Sequence, residues 1–356
     1  DGGHLLALAT DADGQVGNGV SVFNPSSGQL RSLETDAATY RSLSWREESA
    51  DLAVLKTFED EAYEDTAHVA LAWRDLDEDD PDNFELDPRS QSAFPNSMRM
   101  VEFRAPSWSE DGSTLFVGIQ ARKPATEPEE ESEGDEEDDE DPAGVEIWHS
   151  LDLDPVPQQR VREQQLRRVN FLSAWSLDQN SFVQLGDDLT ELTSMVEGGS
   201  YVVGRDESPY DTDAMFRQQF FDLYAINVAT GDKTLVEDRL TLEFGATPNG
   251  RYMVWFEGED YYSYDLRTGE KQNITENVAT QFVNLDVTPT REQMPPFGIA
   301  GSLEGEDAIL LNDQWDVWEV NLDGSGGRAL TSGLDDLIRY RLVDLDPDVD
   351  EYDPDE

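Results

Sequence analysis

One pattern of strand, turn and strand occurs twice between residues 221 and 275, and no other feature restricts the fold as much. Each copy joins apolar or aromatic runs of strand length through turns that contain glycine. In residues 222–227, two sets of side chains alternate with a period of two, which is typical of a half-buried strand. The turns at 229–231, 248–250 and 267–269 end in glycine, which tolerates the positive φ of tight hairpins. Strand–turn–strand units at a steady interval predict a β-propeller.

The rest of the chain continues this pattern, and its strands, taken in fours, indicate an all-β propeller of about six four-stranded blades. The further strands are predicted at residues 4–10, 19–24, 29–33, 40–45, 51–58, 68–73, 101–108, 114–120, 145–149, 171–177, 181–185, 189–195, 200–205, 297–303, 308–312, 315–322, 328–331 and 338–345. Two alternatives remain for the ring. Either the final strand at 338–345 closes the first blade, or blades are missing at both ends of a larger or incomplete ring. The Gln- and Arg-rich residues 158–169 are predicted to form a helix or an extended arm, and the Asp- and Pro-rich residues 75–92 a surface loop.

The predicted domain boundaries follow the distribution of charge. Residues 1–345 are assigned to the propeller, and residues 346–356 to an acidic tail or linker toward a missing downstream part. Residues 127–141 are a run of acids without apolar partners, so we expect a disordered insertion at 124–143. In a four-stranded blade, the loop between the second and third strands lies on the same side as the connection to the next blade. Because the long predicted loops fall there, function is expected on that side.

The charge balance excludes several functions. The net charge is −54, with 79 acidic and 25 basic residues, so phosphates are repelled and sequence-independent nucleic-acid binding is excluded. Anionic membrane surfaces are disfavoured for the same reason, and no apolar run is long enough for membrane insertion. Because 37% of the residues are hydrophobic, we interpret the chain as folded, with the carboxylate-covered surface of a halophilic protein. Self-repulsion at low ionic strength is expected to weaken such a fold.

The sequence predicts no catalytic, cofactor or metal site. The chain has no cysteine, which excludes thiol catalysis and cysteine-ligated metals. None of its three histidines has the spacing of a metal motif, and all three are interpreted as ordinary strand residues. Residues 323–327 depart from the serine-hydrolase motif at Asp323 and are predicted to form a hairpin turn. Aspartates at 11–14 and 344–348 leave a calcium-stabilised scaffold as an alternative, although neither group has EF-hand spacing.

Several stretches resemble a known family. Residues 297–301 (Phe-Gly-Ile-Ala-Gly), 144–149 with 158–168, and 203–210 are similar to the β-propeller region of bacterial prolyl oligopeptidase/dipeptidyl peptidase-type serine peptidases. The same resemblance extends to residues 181–185, 222–224, 307–312, 316–320 and 338–346. It covers most of the chain in order. It implies a propeller that precedes an α/β-hydrolase domain with a Ser-Asp-His triad, and because this chain holds none of that triad, no catalytic residue is carried over.

From this resemblance we expect a non-catalytic domain of an exported serine peptidase, periplasmic or extracellular, which gates or positions peptide substrates for the downstream hydrolase domain. The chain begins without an initiator Met or a basic signal region, which we interpret as an internal cut from a longer protein. The candidate contact regions are residues 205–220 and 286–297. The individual substrate contacts are predicted at Arg205, Asp206, Glu207, Tyr210 and Arg217. The alternative is a stand-alone propeller that binds a protein partner or a glycan.

Overall fold

The fold is all-β and of the β-propeller type. A computed structural model describes residues 4–10, 17–125, 156–190, 192–196, 198–216, 218–287, 294–343 and 351–353. These residues form six sheets of three to five strands, and most strands pair antiparallel with their neighbours in sequence. Repeated sheets of about four strands are the blades of a propeller. The fold class predicted from the sequence is therefore confirmed.

Sheets 1 to 3 contain the first twelve strands. Their bounds are β1 (Leu6–Thr10), β2 (Asn18–Asn24), β3 (Gln29–Asp36), β4 (Tyr40–Trp45), β5 (Leu52–Phe58), β6 (Ala67–Arg74), β7 (Asp82–Leu86), β8 (Met98–Met100), β9 (Ser107–Trp108), β10 (Thr114–Ala121), β11 (Phe171–Ser176) and β12 (Ser181–Gln184). Sheet 1 is β1-β2-β3, and sheet 2 is β4-β5-β6-β7. Sheet 3 has the order β12-β11-β10-β8, with β9 also paired to β10. Helix α1 (Val156–Leu166) precedes β11 and confirms the predicted helical stretch.

Sheets 4 to 6 contain the other thirteen described strands. Their bounds are β13 (Leu192–Met195), β14 (Tyr201–Asp206), β15 (Phe221–Asn227), β16 (Lys233–Leu240), β17 (Glu243–Ala246), β18 (Tyr252–Glu257), β19 (Asp260–Asp265), β20 (Lys271–Asn273), β21 (Ile299–Leu303), β22 (Ala308–Asn312), β23 (Val317–Asn321), β24 (Gly327–Ala329) and β25 (Glu351–Tyr352). Sheets 4 and 5 are β13-β14-β15-β16 and β17-β18-β19-β20. Sheet 6 has the order β24-β23-β22-β21-β25, with a parallel last pairing. A 3-10 turn (Ser208–Tyr210) and helix α2 (Asp211–Phe216) connect β14 to β15, and helix α3 (Gly333–Asp336) follows β24.

The chain divides into two compact units, Asp1–Gln184 with sheets 1 to 3 and Leu185–Glu356 with sheets 4 to 6. In the first unit, apolar side chains fill the space between successive sheets. Leu52 and Trp73 belong to the core of sheets 1 and 2, and Leu115 and Trp175 to the core of sheets 2 and 3. Strands β5 and β6 contribute to both cores, and all side chains of residues 52–55 and 67–73 are buried. Their continuous apolar sequences follow from burial on two faces.

In the second unit, strand β18 shows how a period of two supplies two cores. Met253 and Trp255 pack with residues of sheet 4, whereas Val254 and Phe256 pack with residues of sheet 6. Successive side chains of a strand point to opposite faces, so one strand can line both cores. Trp255 and Phe256 are both fully buried. Burial of a side chain such as Phe256 contributes about 1.5–3 kcal/mol.

The two copies of the repeated pattern contain turns of the same kind. Asn227 Oδ1 accepts hydrogen bonds from two backbone amides of its turn at 2.9 and 3.1 Å. Asp265 Oδ1 does the same at 2.8 and 3.1 Å. Gly231 and Gly269 follow with φ of 77° and 75°, in the left-handed region that favours glycine. The tight hairpins predicted at these positions are confirmed.

The predicted surface loop at 75–92 was wrong, because it contains a strand. Strand β7 (Asp82–Leu86) is the edge strand of sheet 2, and its Leu86 is buried in the core. The other residues of β7 are exposed or half-buried, so a largely polar sequence concealed the strand. The predicted strand at 101–108 is also mostly wrong. Only its last two residues, β9 (Ser107–Trp108), are a strand.

The predicted final strand at 338–345 is wrong over its described part, residues 338–343, which contains no strand. Residues 338–343 form a loop that donates hydrogen bonds to the chain near Trp315. The Tyr340 amide donates to Trp315 O at 2.7 Å, and Arg341 Nη2 donates to Asp313 O at 2.7 Å. Within the predicted acidic tail, β25 pairs with β21 of sheet 6.

Several predictions concern residues outside the described ranges. These are the acidic insertion beyond Ala125, the strand at 145–149, the aspartates at 11–14 and 344–348, and residues 288–293 of the contact region at 286–297. None of the helices in the described ranges combines the length and the apolar character that a membrane span requires.

Candidate functional site

The connection between β14 and β15 holds the first predicted contact region, and Asp222, at its β15 end, contacts the end of β16. Asp222 Oδ1 accepts a hydrogen bond from Tyr210 Oη at 2.6 Å and one from the Arg239 backbone amide at 2.9 Å. Arg239 lies near the end of β16, which leads to sheet 5. The loop between the second and third strands of this blade and the connection to the next blade therefore lie on one side, as the sequence predicts.

Two aspartates face each other at this edge of sheet 4. Asp206 and Asp222 are directly opposite in the antiparallel register of β14 and β15. Asp206 is buried, and its Oδ1 accepts hydrogen bonds from the Ser208 amide at 3.0 Å and the Ser208 hydroxyl at 2.6 Å. Like charges directly opposite each other destabilise a strand pair. Both carboxylates therefore depend on donors from the loop.

Helix α2 adds two further carboxylates in its first turn, Asp211 and Asp213. Burial, together with the charge of Asp206, raises the pKa of Asp211 above its usual range. Asp213 Oδ2 lies 3.7 Å from Arg239 Nη1. In the described part of the chain, no Lys or Arg nitrogen lies within 4.0 Å of the Asp211 carboxylate. We define Asp206, Tyr210, Asp211, Asp213 and Asp222 as the acidic loop cluster.

Aromatic rings form one wall of the acidic loop cluster. Burial, with the hydrogen bond to Asp222, raises the pKa of Tyr210 to about 12, so this hydroxyl stays protonated and acts as a donor. The Tyr210 and Phe220 ring centres are 5.8 Å apart. The guanidinium carbon of Arg239 lies 4.2 Å from the centre of the Phe220 ring. The wall thus combines apolar ring surface with a guanidinium group at its edge.

Arg205 has a different environment from the other predicted contact residues. It precedes Asp206 on β14, so its side chain lies on the opposite face of the sheet. It forms an ion pair with Glu243, at the start of β17, and its guanidinium carbon lies 5.1 Å from the Phe221 ring centre. Burial lowers the pKa of Arg205. These contacts join sheets 4 and 5.

The predicted contact set is therefore divided. Asp206 and Tyr210 belong to the acidic loop cluster, and Glu207 lies between them at the start of the 3-10 turn. Arg205 faces sheet 5, and Arg217 lies outside the described residues. Contact of any of these residues with a substrate stays a prediction.

Sequence reasoning did not single out four residues of this site: Asp211, Asp213, Asp222 and Arg239. Asp211 and Asp213 lie within the predicted region 205–220, and their position in the first turn of a helix is a usable signal. Asp222 and Arg239 reach Tyr210 only because of the register of sheet 4. No sequence spacing reveals that contact.

The second predicted contact region, 286–297, is described only at its ends. Asp286 Oδ2 pairs with Arg339 Nη2 at 2.6 Å. The guanidinium carbons of Arg339 and Arg341 lie 5.9 and 5.6 Å from the Phe297 ring centre. The carboxylate of Asp286 is already paired with a cation, so this region suits a cationic ligand less well than the acidic loop cluster.

A buried histidine forms a smaller polar cluster in the first unit. His68 Nδ1 lies 3.0 Å from Met100 O, and His68 Nε2 lies 3.8 Å from Glu102 Oε2. Arg41 Nε lies 3.8 Å from the same carboxylate oxygen. Burial lowers the pKa of His68, so the ring is neutral at neutral pH. The ring joins β6 to β8, which agrees with the prediction of an ordinary strand residue.

The acidic loop cluster offers carboxylates and a phenol that keeps its proton. Among the described residues, no three His, Cys, Asp or Glu side chains are grouped so that they could hold a metal ion. Carboxylates grouped at one connection without the arrangement of a metal site suit a cation that brings its own N–H donors, because each can accept a charge-assisted hydrogen bond. An ammonium group has this chemistry.

Known proteins resemble the chain only remotely. No protein-family model and no curated protein matches it. TolB from Acinetobacter baumannii is 11% identical with a TM-score of 0.30, over 90% of this chain and 62% of that chain. Dipeptidyl peptidase 4 from Porphyromonas gingivalis is 8% identical with a TM-score of 0.40, over 92% of this chain and 44% of that chain. A eukaryotic initiation factor is 10% identical with a TM-score of 0.38, over 92% and 63%. This chain spans less than two thirds of each of the three, and the likeness assigns it neither an activity nor a partner.

Proposed function

We propose that the chain is a non-catalytic propeller domain that gates or positions peptide substrates for an α/β-hydrolase domain of the same parent protein. In this proposal the acidic loop cluster binds the protonated amino terminus of the peptide. The parent protein is an exported serine peptidase, as the resemblance of the sequence implies.

The observation that carries the proposal is the environment of Asp211. Its carboxylate is partly buried beside Asp206, its pKa is raised, and no cation of the described residues lies within 4.0 Å. A raised pKa means that the surroundings destabilise the charged form of a carboxyl group. A bound ammonium group would stabilise that form by supplying the opposite charge and N–H donors.

The neighbours of Asp211 suit the rest of a peptide. The rings of Tyr210 and Phe220 offer apolar surface to the side chain that follows the amino group. The guanidinium of Arg239, at the Phe220 ring, offers N–H donors to a peptide carbonyl. Capture of an amino terminus by fixed polar groups is a recurrent mode of peptide recognition.

The proposal is tested with one peptide in two forms. A short peptide with a free amino terminus and proline in the second position is titrated into the chain by calorimetry, beside the same peptide with an acetylated amino terminus. We expect binding of the free form and at least tenfold weaker binding of the acetylated form, since acetylation removes the charge. Equal affinities of the two forms would contradict the proposal.

Two variants locate the binding. Asp211→Asn removes the carboxylate charge with little change in shape and is expected to weaken binding of the free peptide about tenfold. Asp80→Asn is the matched control, because Asp80 is exposed in the first unit and lies in a loop before β7. An equal effect of both substitutions would show a general charge effect rather than a site. The unmodified chain is also expected not to hydrolyse aminoacyl-proline substrates, and turnover would contradict a non-catalytic role.

A further inference from the structure

A cleft of about 740 Å³ lies between the end of β10 and helix α1, in the first unit. Its lining residues are Gln120, Ala121, Arg122, Lys123, Arg160, Glu163, Leu166 and Arg167. The proposed function does not use this cleft. We call it the basic cleft.

The charge of the basic cleft opposes that of the whole chain. Four of its eight lining residues are Lys or Arg and one is acidic. Over the full sequence, 25 residues of 356 are basic and 79 are acidic, so a random set of eight would contain more acids than bases. A concave surface lined by one sign of charge attracts ligands of the opposite sign. The basic cleft is therefore suited to an anion.

Hydrogen bonds hold the lining residues of the basic cleft in place, so the cleft is already formed without a ligand. Gln120 Nε2 donates to Arg167 O at 2.9 Å and to Val169 O at 2.8 Å, which ties the end of α1 to β10. Arg122 Nη2 donates to Asp60 Oδ2 at 2.7 Å, and its guanidinium carbon lies 3.4 Å from the Tyr63 ring centre. A site that is ordered before binding loses less entropy when a ligand arrives.

Two of the cations are available to a ligand. No carboxylate of the described residues lies within 4.0 Å of Lys123 Nζ, while the Lys123 carbonyl is held by the Glu64 amide at 2.9 Å. Arg167 Nη2 pairs at 2.6 Å with Glu163, four residues earlier on the same stretch of chain, and both side chains are more than half exposed. Such an exposed pair contributes little, so a ligand carboxylate can replace Glu163 as the partner of Arg167.

Helix α1 also exposes apolar side chains. Val161 is 85% exposed and Leu166 is 48% exposed. Leu166 lines the basic cleft beside Arg167, and Ala121 faces it from the β10 side. A ligand with both carboxylates and apolar side chains would find partners for each.

We propose that the basic cleft binds a short acidic peptide segment of a partner protein. Its carboxylates pair with Lys123 and Arg167, and its apolar side chains cover Leu166. A guanidinium binds a carboxylate through two parallel hydrogen bonds, which gives this contact a defined geometry. A long nucleic acid is a worse ligand, because the net charge of −54 repels an extended row of phosphates. This site is independent of the acidic loop cluster.

The test uses a fluorescein-labelled peptide of eight residues that alternates Glu with Leu, measured by fluorescence anisotropy at constant ionic strength. Lys123→Glu combined with Arg167→Glu is expected to weaken binding at least tenfold. The matched control is Arg267→Glu combined with Arg328→Glu, on the second unit. Arg267 is exposed, and Arg328 pairs with Glu319 at 2.6 Å much as Arg167 pairs with Glu163. The control is expected to change affinity less than twofold, and circular dichroism checks that every variant is folded.

The acids of the chain itself begin four residues beyond Lys123, at Glu127. The peptide is therefore also measured with a variant in which the acidic residues of 127–141 are replaced by serine. Binding that depends on Lys123 and Arg167 in either form supports the proposal. Absence of such binding in both forms overturns it. Equal or tighter binding of a Gln-for-Glu peptide, or of a single-stranded oligonucleotide of eight bases, also overturns it.

Discussion

The acidic loop cluster and the basic cleft differ in the sign of their charge. The first has more carboxylates than cations, and the second has more cations than carboxylates. In the acidic loop cluster, hydroxyl and amide donors support Asp206 and Asp222, while Asp211 has no cation of the described residues within 4.0 Å. In the basic cleft, a carboxamide ties the cation-bearing elements together, while Lys123 has no carboxylate of the described residues at that distance. Each region provides the charge that a ligand of the opposite sign needs.

A group of three side chains, Lys56, Glu34 and Asp36, shows what both regions lack, because it supplies its own opposite charges. Lys56 Nζ lies 2.8 Å from Glu34 Oε1 and 2.6 Å from Asp36 Oδ2. Burial disfavours the charge of Lys56, but the two carboxylates outweigh it and raise the pKa of Lys56. The hydrogen bond from Lys56 lowers the pKa of Asp36. Here the protein satisfies its own charges, and no external ligand is called for.

The largest effect is expected from the core beneath the acidic loop cluster. Trp255 is fully buried between sheets 4 and 5, and Trp255→Ala is expected to lower the free energy of unfolding by about 3–5 kcal/mol, since it leaves a cavity. Urea denaturation measures the change. Leu235→Ala, on β16 where Leu235 is 51% exposed, is the control and is expected to cost about 0.5 kcal/mol. Similar losses of unfolding free energy in the two variants would show that Trp255 does not belong to a tightly packed core.

Salt is expected to have opposite effects on the stability of the fold and on binding at the two sites. A net charge of −54 repels itself, and added ions shorten the range of that repulsion. We expect the free energy of unfolding to rise by roughly 2 kcal/mol between low and molar KCl, while both peptides bind more weakly. Urea denaturation measures the free energy of unfolding, and calorimetry in the same buffers measures the binding of both peptides. A fold that loses stability in KCl would contradict a carboxylate surface under repulsion.

Asp316 provides the reference for a buried carboxylate with a full set of donors. Burial acts to raise its pKa, but hydrogen bonds from the Thr331 hydroxyl and the amides of Gly333 and Leu334 hold the pKa below the usual 3.8. Asp316→Asn is expected to cost about 1–3 kcal/mol at pH 7. Because the folded pKa is the lower one, this contribution is present above pH 3.8 and disappears as the pH falls through the depressed value. Urea denaturation across pH measures it, and a pH-independent difference would contradict the assignment.

Asp211 is expected to behave in the opposite way, with the smallest effect. Its folded pKa is raised, so its charge destabilises the fold at neutral pH and Asp211→Asn is expected to stabilise it by about 0.3 kcal/mol. The gain disappears as the pH falls below the raised value, where the wild-type carboxyl is protonated. The same substitution weakens peptide binding, as is common where a site is kept at the expense of stability. A loss of stability in Asp211→Asn would instead make Asp211 a structural residue like Asp316.

The sequence was sufficient where structure is determined locally. The alternation in β15, the apolar run of β18 and the turns at Gly231 and Gly269 were predicted, because strand period and turn chemistry act over a few residues. Strand β7 was missed because an edge strand with one buried residue need not be apolar. The alternating residues 338–343 were mistaken for a strand because their partners, near Trp315, are chosen by tertiary contacts.

The two sites were also predicted only in part, because some of their contacts depend on how distant segments pair. Asp206 and Tyr210 were found as members of a polar loop, but Asp222 and Arg239 join them only through pairing of β14, β15 and β16. In the basic cleft, the Arg-rich stretch at 158–169 was predicted to form a helix or an extended arm, yet its position beside Lys123 follows from the hydrogen bonds of Gln120. Contacts across sheets and across a long connection leave no periodic signal in the sequence.

The most direct measurement is a crossed titration of the two peptides. Calorimetry measures the free-amino peptide and the acidic peptide against the wild type, Asp211→Asn, and Lys123→Glu combined with Arg167→Glu. We predict that Asp211→Asn weakens only the free-amino peptide, that the double variant weakens only the acidic peptide, and that saturation with one peptide leaves the affinity for the other unchanged. If either variant weakens both peptides equally, the two regions are not separate sites and the account is contradicted.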